Sequence, residues 1–256
     1  MKKQLLSLFA IAAITTTSWA DITASQAKDY MSASGADSML EMLQTQIGAG
    51  IKQKASMSPT AMPEDLLEGM TDIMSNKKNI ALFSSDIINL DEDDYKEIMS
   101  FYKSAIGKKV ADQTRNIDMA KIQKELPEFM KKKIAPERQA LIEKLMEVSM
   151  SEEMQIEMME TTMEITVDAM PVEMQDKFRV EMDKQLTAML PMMKEQLKIT
   201  SVYTYKDYSD KEVKELIKHY ELPSAKAEVQ SIMNGSSKYM KEVMTQVMKL
   251  LTSKIK

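Results

Sequence analysis

Apolar residues recur every three to four positions along almost the whole chain, and little interrupts them: six glycines and seven prolines are spread over 256 residues. That period is the stripe of a helix face, and Met, Lys, Glu, Leu, Ala and Gln, all good helix formers, fill the positions between. No segment alternates with the period of a strand. The expected fold is therefore all-α, a helical array or bundle with no sheet. Helix starts are expected at Pro63 with Glu64 and Asp65, at Pro136 with Glu137, and at two capping boxes, Ser149 with Glu152 and Ser209 with Glu212. Breaks are expected at Gly35, at the Gly48 and Gly50 pair, and at Pro127, Pro171 and Pro191, with a polar turn at 76–79.

The first twenty residues carry a different pattern. Lys2 and Lys3 precede an apolar run from Leu5 to Ile14, and small and polar residues follow as far as Ala20. This is the order of a secretory signal peptide, and the run is shorter than the roughly 20 apolar residues that cross a bilayer. We expect residues 1–20 to be a signal peptide cleaved after Ala20, leaving a periplasmic protein. Cleavage removes two of the 34 basic residues and none of the 39 acidic ones, so the mature charge is 32 − 39 = −7. A chain that acidic lacks the clustered cations that phosphate binding requires, which argues against a nucleic-acid partner. It contains no cysteine, so neither a disulfide framework nor a lipidated N-terminal cysteine can form.

Shifting the sequence by 118 residues brings one stretch onto another. Asp91 falls on Ser209 and Asp94 on Glu212, so both copies open with a capping pair. The apolar positions Tyr95, Ile98, Met99 and Tyr102 fall on Val213, Leu216, Ile217 and Tyr220, one helical stripe in each copy. Lys96, Glu97, Tyr102 and Lys108 meet identical residues at Lys214, Glu215, Tyr220 and Lys226. We read this as a tandem repeat, with a first helical unit over 21–133 and a second over 134–256.

A helix followed by Phe-Tyr and then Ser-Pro-x-Gly-x-Lys resembles the motif of an exported bacterial family, domain of unknown function 2059. The first copy matches with Phe101, Tyr102, Ser104, Gly107 and Lys109, and has Ala105 where proline is typical. The second keeps Tyr220, Pro223 and Lys226, with His219 in place of the phenylalanine and Ala225 in place of the glycine. The resemblance implies a small all-helical periplasmic protein and brings no catalytic residues with it. Physically the motif reads as a helix-turn-helix corner whose tyrosine packs into the core; a ligand site centred on the two tyrosines is the alternative.

Chemistry is sparsely furnished. His219 is the only histidine, and no phosphate-binding glycine loop, serine nucleophile motif or HExxH pair occurs. The acidic residues Asp93, Asp94, Glu152 and Glu153 fall at helix starts, where they compensate the helix dipole. No catalytic residue and no cofactor is expected, and the chain reads as a non-enzyme.

Methionine is the compositional anomaly. Of 27 in the chain, 12 lie between Met146 and Met193. Three readings remain open: adaptable core packing, a Met-lined groove for a partner, or a copper(I) site. Met150, Met154 and Met158 are the metal candidates, spaced to climb one helical face, with Met39, Met42, Met189, Met192 and Met193 as possible further donors. The C-terminal stretch from Lys238 is basic and amphipathic, which fits a closing helix of the second repeat and, less well, a membrane-surface contact. The expected function is a non-catalytic binding or chaperone-like module for an envelope protein or peptide, with copper(I) binding as the alternative.

Overall fold

The structure, a computed structural model, describes residues 22–42, 44–45, 48, 63–150, 152–168 and 172–254. Among them there are helices and turns and no strand. In chain order the elements used below are α1 (Ala24–Ser34), α2 (Glu64–Ser75), α3 (Lys77–Phe83), a 3-10 turn (Ile87–Asn89), α4 (Glu92–Lys103), α5 (Ala105–Arg115), α6 (Met119–Phe129), α7 (Pro136–Ser149), α8 (Glu152–Asp168), α9 (Val172–Thr204), α10 (Asp210–Tyr220) and α11 (Pro223–Lys254). None is long and apolar enough to cross a membrane.

Several boundaries follow local chemistry. The Ser209–Glu212 box forms as expected, the hydroxyl accepting from the Glu212 amide and the carboxylate from the Ser209 amide. Pro136 opens α7, and Gly35 closes α1 with φ 80°, a left-handed conformation that suits glycine. Others differ. Ser149 is the last residue of α7 and its hydroxyl donates back to the Met146 carbonyl, so it does not cap α8. Pro127 lies inside α6 and Pro191 inside α9, and neither ends its helix. The polar stretch at 76–79 is a cap followed at once by α3, with Asn76 accepting from the Lys78 amide and Asn79 buried. Of the expected glycine break, Gly48 is helical. Gly50 and the expected break at Pro171 lie outside the described residues.

Two clusters of apolar side chains organise the molecule. The larger joins α1, α2, α3, the 3-10 turn and α4 to the C-terminal half of α11, through Tyr30, Phe83, Ile87, Ile98, Tyr239 and Val243. The smaller joins α7 and α10 around Leu145, Val213, Leu216 and Ile217, with Ile106 and Val110 of α5 against it. Phe101 packs against both. Helix α11 is thus a closing helix, and it closes on elements from the start of the chain: Tyr239, Val243 and Val247, at 5% exposure or less, belong to the same core as Tyr30 and Phe83.

Candidate functional site

Both motif stretches are helix-turn-helix corners, and their backbones bond alike. In α4 the Asp91 side chain accepts from the Asp94 amide, and in α10 the Ser209 side chain accepts from the Glu212 amide. At the corners the Ser104 amide donates to the Phe101 carbonyl and the Leu222 amide to the His219 carbonyl. The next helices open with Lys108 donating to the Ser104 carbonyl and Lys226 to the Leu222 carbonyl. Every one of these pairs is related by the 118-residue shift.

The corners meet. Phe101 and His219, which the 118-residue shift places on one another, lie face to face with ring centroids 3.5 Å apart and planes 4° from parallel. Around this stack the other motif residues take unequal places. Ser104 caps α5 by accepting from the Gly107 amide at 3.1 Å. Gly107 lies so close to the end of α4 that an added Cβ would overlap the Phe101 carbonyl. Lys109 reaches across to the second corner, donating to Glu212 at 2.7 Å and the Asp207 carbonyl at 2.9 Å, with its ammonium 4.2 Å from the centre of the Tyr208 ring. In the second copy Tyr220 is half-buried beside His219, while Pro223 and Lys226 are exposed at the start of α11.

Lys109 holds the Glu212 carboxyl down at about 2, the Ser209 amide and hydroxyl adding to the effect. A depressed carboxyl contributes stability that is present above its ordinary value near 4.5 and lost as pH falls toward 2. Replacing Lys109 with Met is expected to raise the Glu212 titration midpoint toward the ordinary value, as read by carboxyl NMR. An unmoved midpoint would assign the depression to the cap alone.

Beneath the stack sits a residue that sequence reasoning missed. Glu228, on the buried face of α11, is 2% exposed. Its Oε1 accepts from the hydroxyls of Tyr30 and Tyr102, each at 2.7 Å. Its Oε2 lies 4.0 Å from Nε2 of His219, and neither atom has a hydrogen-bond partner. Burial pushes the carboxyl up to about 6, against the pull of the two tyrosine hydroxyls; burial also pushes the imidazole down to about 4, with Glu97 opposing. Glu97 is engaged by the buried Ser224 hydroxyl at 2.6 Å. The arrangement can hold and exchange a proton. The one available signal was an acid at position 228 in the stripe running from Ala225 through Tyr239 to Val243.

The structure describes the methionine candidates in part. Met150 lies between α7 and α8 with φ −156° and ψ 89°, so it is off the helix that carries Met154, and the single face expected through Met150, Met154 and Met158 is broken at its first step. Met154 is half-buried, and the Met158 side chain lies outside the described residues. Among the described residues no cluster of three His, Cys, Asp or Glu side chains could hold a metal ion.

A surface groove lies between α6, α7 and α9. It encloses about 380 Å³ and is lined by Phe129, Met130, Ile134, Ile199 and Val202, with Lys132, Gln139, Glu195 and Lys198 at its polar positions. Met130 is 54% exposed there, and further along α9 Met192 stands 65% exposed. A second cleft adjoins it across Phe129, where the Tyr203 hydroxyl donates to Glu125 at 2.6 Å and Lys206 lies 3.7 Å over the Tyr203 ring. Compared with known proteins, the chain matches no family model, no curated protein and no solved structure.

Proposed function

We propose that the protein is an exported, non-catalytic binding module that takes an apolar peptide segment of an envelope protein into the groove between α6, α7 and α9. The observation that carries this reading is the groove itself, whose volume falls within the roughly 300–1,000 Å³ usual for binding pockets. Its floor is Phe, Met, Ile and Val, and Met130 offers an unbranched side chain that repacks around different partners. Its polar groups are already engaged in part, as Lys198 pairs with Glu143 at 3.7 Å. With apolar side chains beside Lys132, Gln139, Glu195 and Lys198, the matching ligand is an amphipathic helical peptide with apolar anchors at i, i+3 or i+4 and i+7. The resemblance of Phe101, Tyr102, Ser104, Gly107 and Lys109 to domain of unknown function 2059 agrees with export, and the two corners then serve as scaffold.

Selection of short random peptides displayed on phage against the mature protein is expected to enrich sequences with that apolar spacing. Met130→Glu, at an exposed position that leaves the fold intact, should weaken the selected peptides at least tenfold, with unchanged circular dichroism. Enrichment without apolar spacing, or binding indifferent to Met130→Glu, would sink the reading. Export is tested separately: the periplasmic form should begin at Asp21 by N-terminal sequencing.

A further inference from the structure

We propose that Glu228 and His219 form a one-proton switch at the junction of α1, α4, α10 and α11, which couples the grip of α11 on the other three helices to ambient pH. It stands on the junction and not on the groove. One carboxyl group links all four helices: Tyr30 from α1 and Tyr102 from α4 donate to Oε1, His219 from α10 faces Oε2, and Glu228 itself belongs to α11. Both donors approach the same oxygen, so Oε1 is the acceptor in either protonation state. Oε2 is left opposite the imidazole, and the two atoms are the buried pair without partners.

A proton on Oε2 gives that pair its missing bond. The carboxylic acid donates to Nε2, whose lone pair is free in the Nδ1–H tautomer, once the 4.0 Å gap closes by about 1 Å to ordinary hydrogen-bond length. Loss of that proton to solvent leaves a charge on a carboxylate that is 2% exposed; the ring can then shift to the Nε2–H tautomer and donate to Oε2, but the charge stays buried at the junction, a cost relieved by admitting water or parting the helices. The titratable groups facing the site are Tyr30 from α1, Glu97 and Tyr102 from α4, and His219 and Tyr220 from α10. Burial pushes all three tyrosine hydroxyls up from their ordinary value, and Glu97 accepts from the Ser224 hydroxyl, so the buried atoms left without a partner are those of the Glu228–His219 pair.

The two members of the pair pull stability in opposite directions. Glu228, raised to about 6 from 4.5, contributes stability that is complete below 4.5 and lost as pH rises through 6. His219, lowered to about 4 from 6.5, contributes stability present above 6.5 and lost as pH falls toward 4. A pH profile of the whole protein therefore masks the switch, and the test must isolate it.

The chain supplies its own probe, because His219 is the only histidine. In the mature full-length protein its imidazole ε1 NMR signal should step near pH 6, as Glu228 titrates beside a still neutral ring, and again near pH 4. Glu228→Gln should abolish the upper step. The unfolding equilibrium constant of wild type divided by that of Glu228→Gln should rise about tenfold from pH 5 to pH 8, a difference that cancels every other titrating group. A single step near 6.5 in both proteins, or a ratio independent of pH, overturns the proposal. If Glu228→Gln does not fold, Tyr102→Phe serves instead: it removes a donor to the carboxylate and must move the upper step to higher pH, and an unmoved step overturns the proposal equally.

Discussion

Gly235→Ala is expected to destabilise the protein by about 3 kcal/mol, although alanine is the better helix former by about 1 kcal/mol. Gly235 is buried in the middle of α11 where this helix crosses the end of α3. A Cβ at that position would overlap the carbonyl oxygen of Phe83 and come within 2.9 Å of its carbonyl carbon. The obstacle is backbone, which cannot rotate aside as a side chain would, so α11 has to lift away from α3. Lifting it opens the larger core around Phe83, Tyr239 and Val243, each at 1% exposure or less. Urea unfolding followed at 222 nm checks this, with Asn234→Ala, one residue away and exposed, expected to fall within about 0.5 kcal/mol of wild type. If Gly235→Ala proves neutral or stabilising, the crossing is looser than its geometry implies, and α11 is not the clamp on the first half of the chain.

The same helix marks the limit of what the sequence carried. Local signals were legible: the Ser209–Glu212 box, Pro136 at a helix start, Gly35 at a helix end and the all-helical class each depend on residues within one or two turns of each other. Ser149 shows how a local pattern misleads, since Ser-x-x-Glu occurs there but α7 runs through the serine and turns only at Met150. Pro191 misleads in the opposite sense, because a proline removes one backbone donor and helix α9 continues past it. What the sequence withheld was tertiary. The apolar face from Tyr239 to Val247 was plain, but its partner, elements before residue 100, could not be read from spacing. The motif residues were legible as a corner; that Phe101 would lie on His219, and that Glu228 would lie beneath them 198 residues from its donor Tyr30, was not. A buried acid leaves no mark in a sequence except a charge in an apolar stripe, and surface glutamates at stripe edges leave the same one.

Replacing Glu228 with Leu is expected to cost about 4 kcal/mol, even though it fills the space and removes an acid that burial disfavours. The loss comes from the partners. The Tyr30 hydroxyl, on a fully buried side chain, and the Tyr102 hydroxyl would each lose their acceptor, and an unsatisfied buried donor costs about 1–3 kcal/mol. It follows that the partners can be removed with the acid: Tyr30→Phe and Tyr102→Phe combined with Glu228→Leu should recover most of the loss and unfold within about 1–2 kcal/mol of wild type, because an apolar replacement of a whole buried polar group is often close to neutral. The coupling between Glu228→Leu and the two tyrosine changes, measured as a mutant cycle by urea unfolding at pH 7, then reports the strength of the junction directly. A triple variant as unstable as Glu228→Leu would mean that shape, not hydrogen bonding, holds α11 to α1 and α4. A triple variant at least as stable as wild type would mean that the acid is retained at a cost to the fold, as expected of a group kept for its proton.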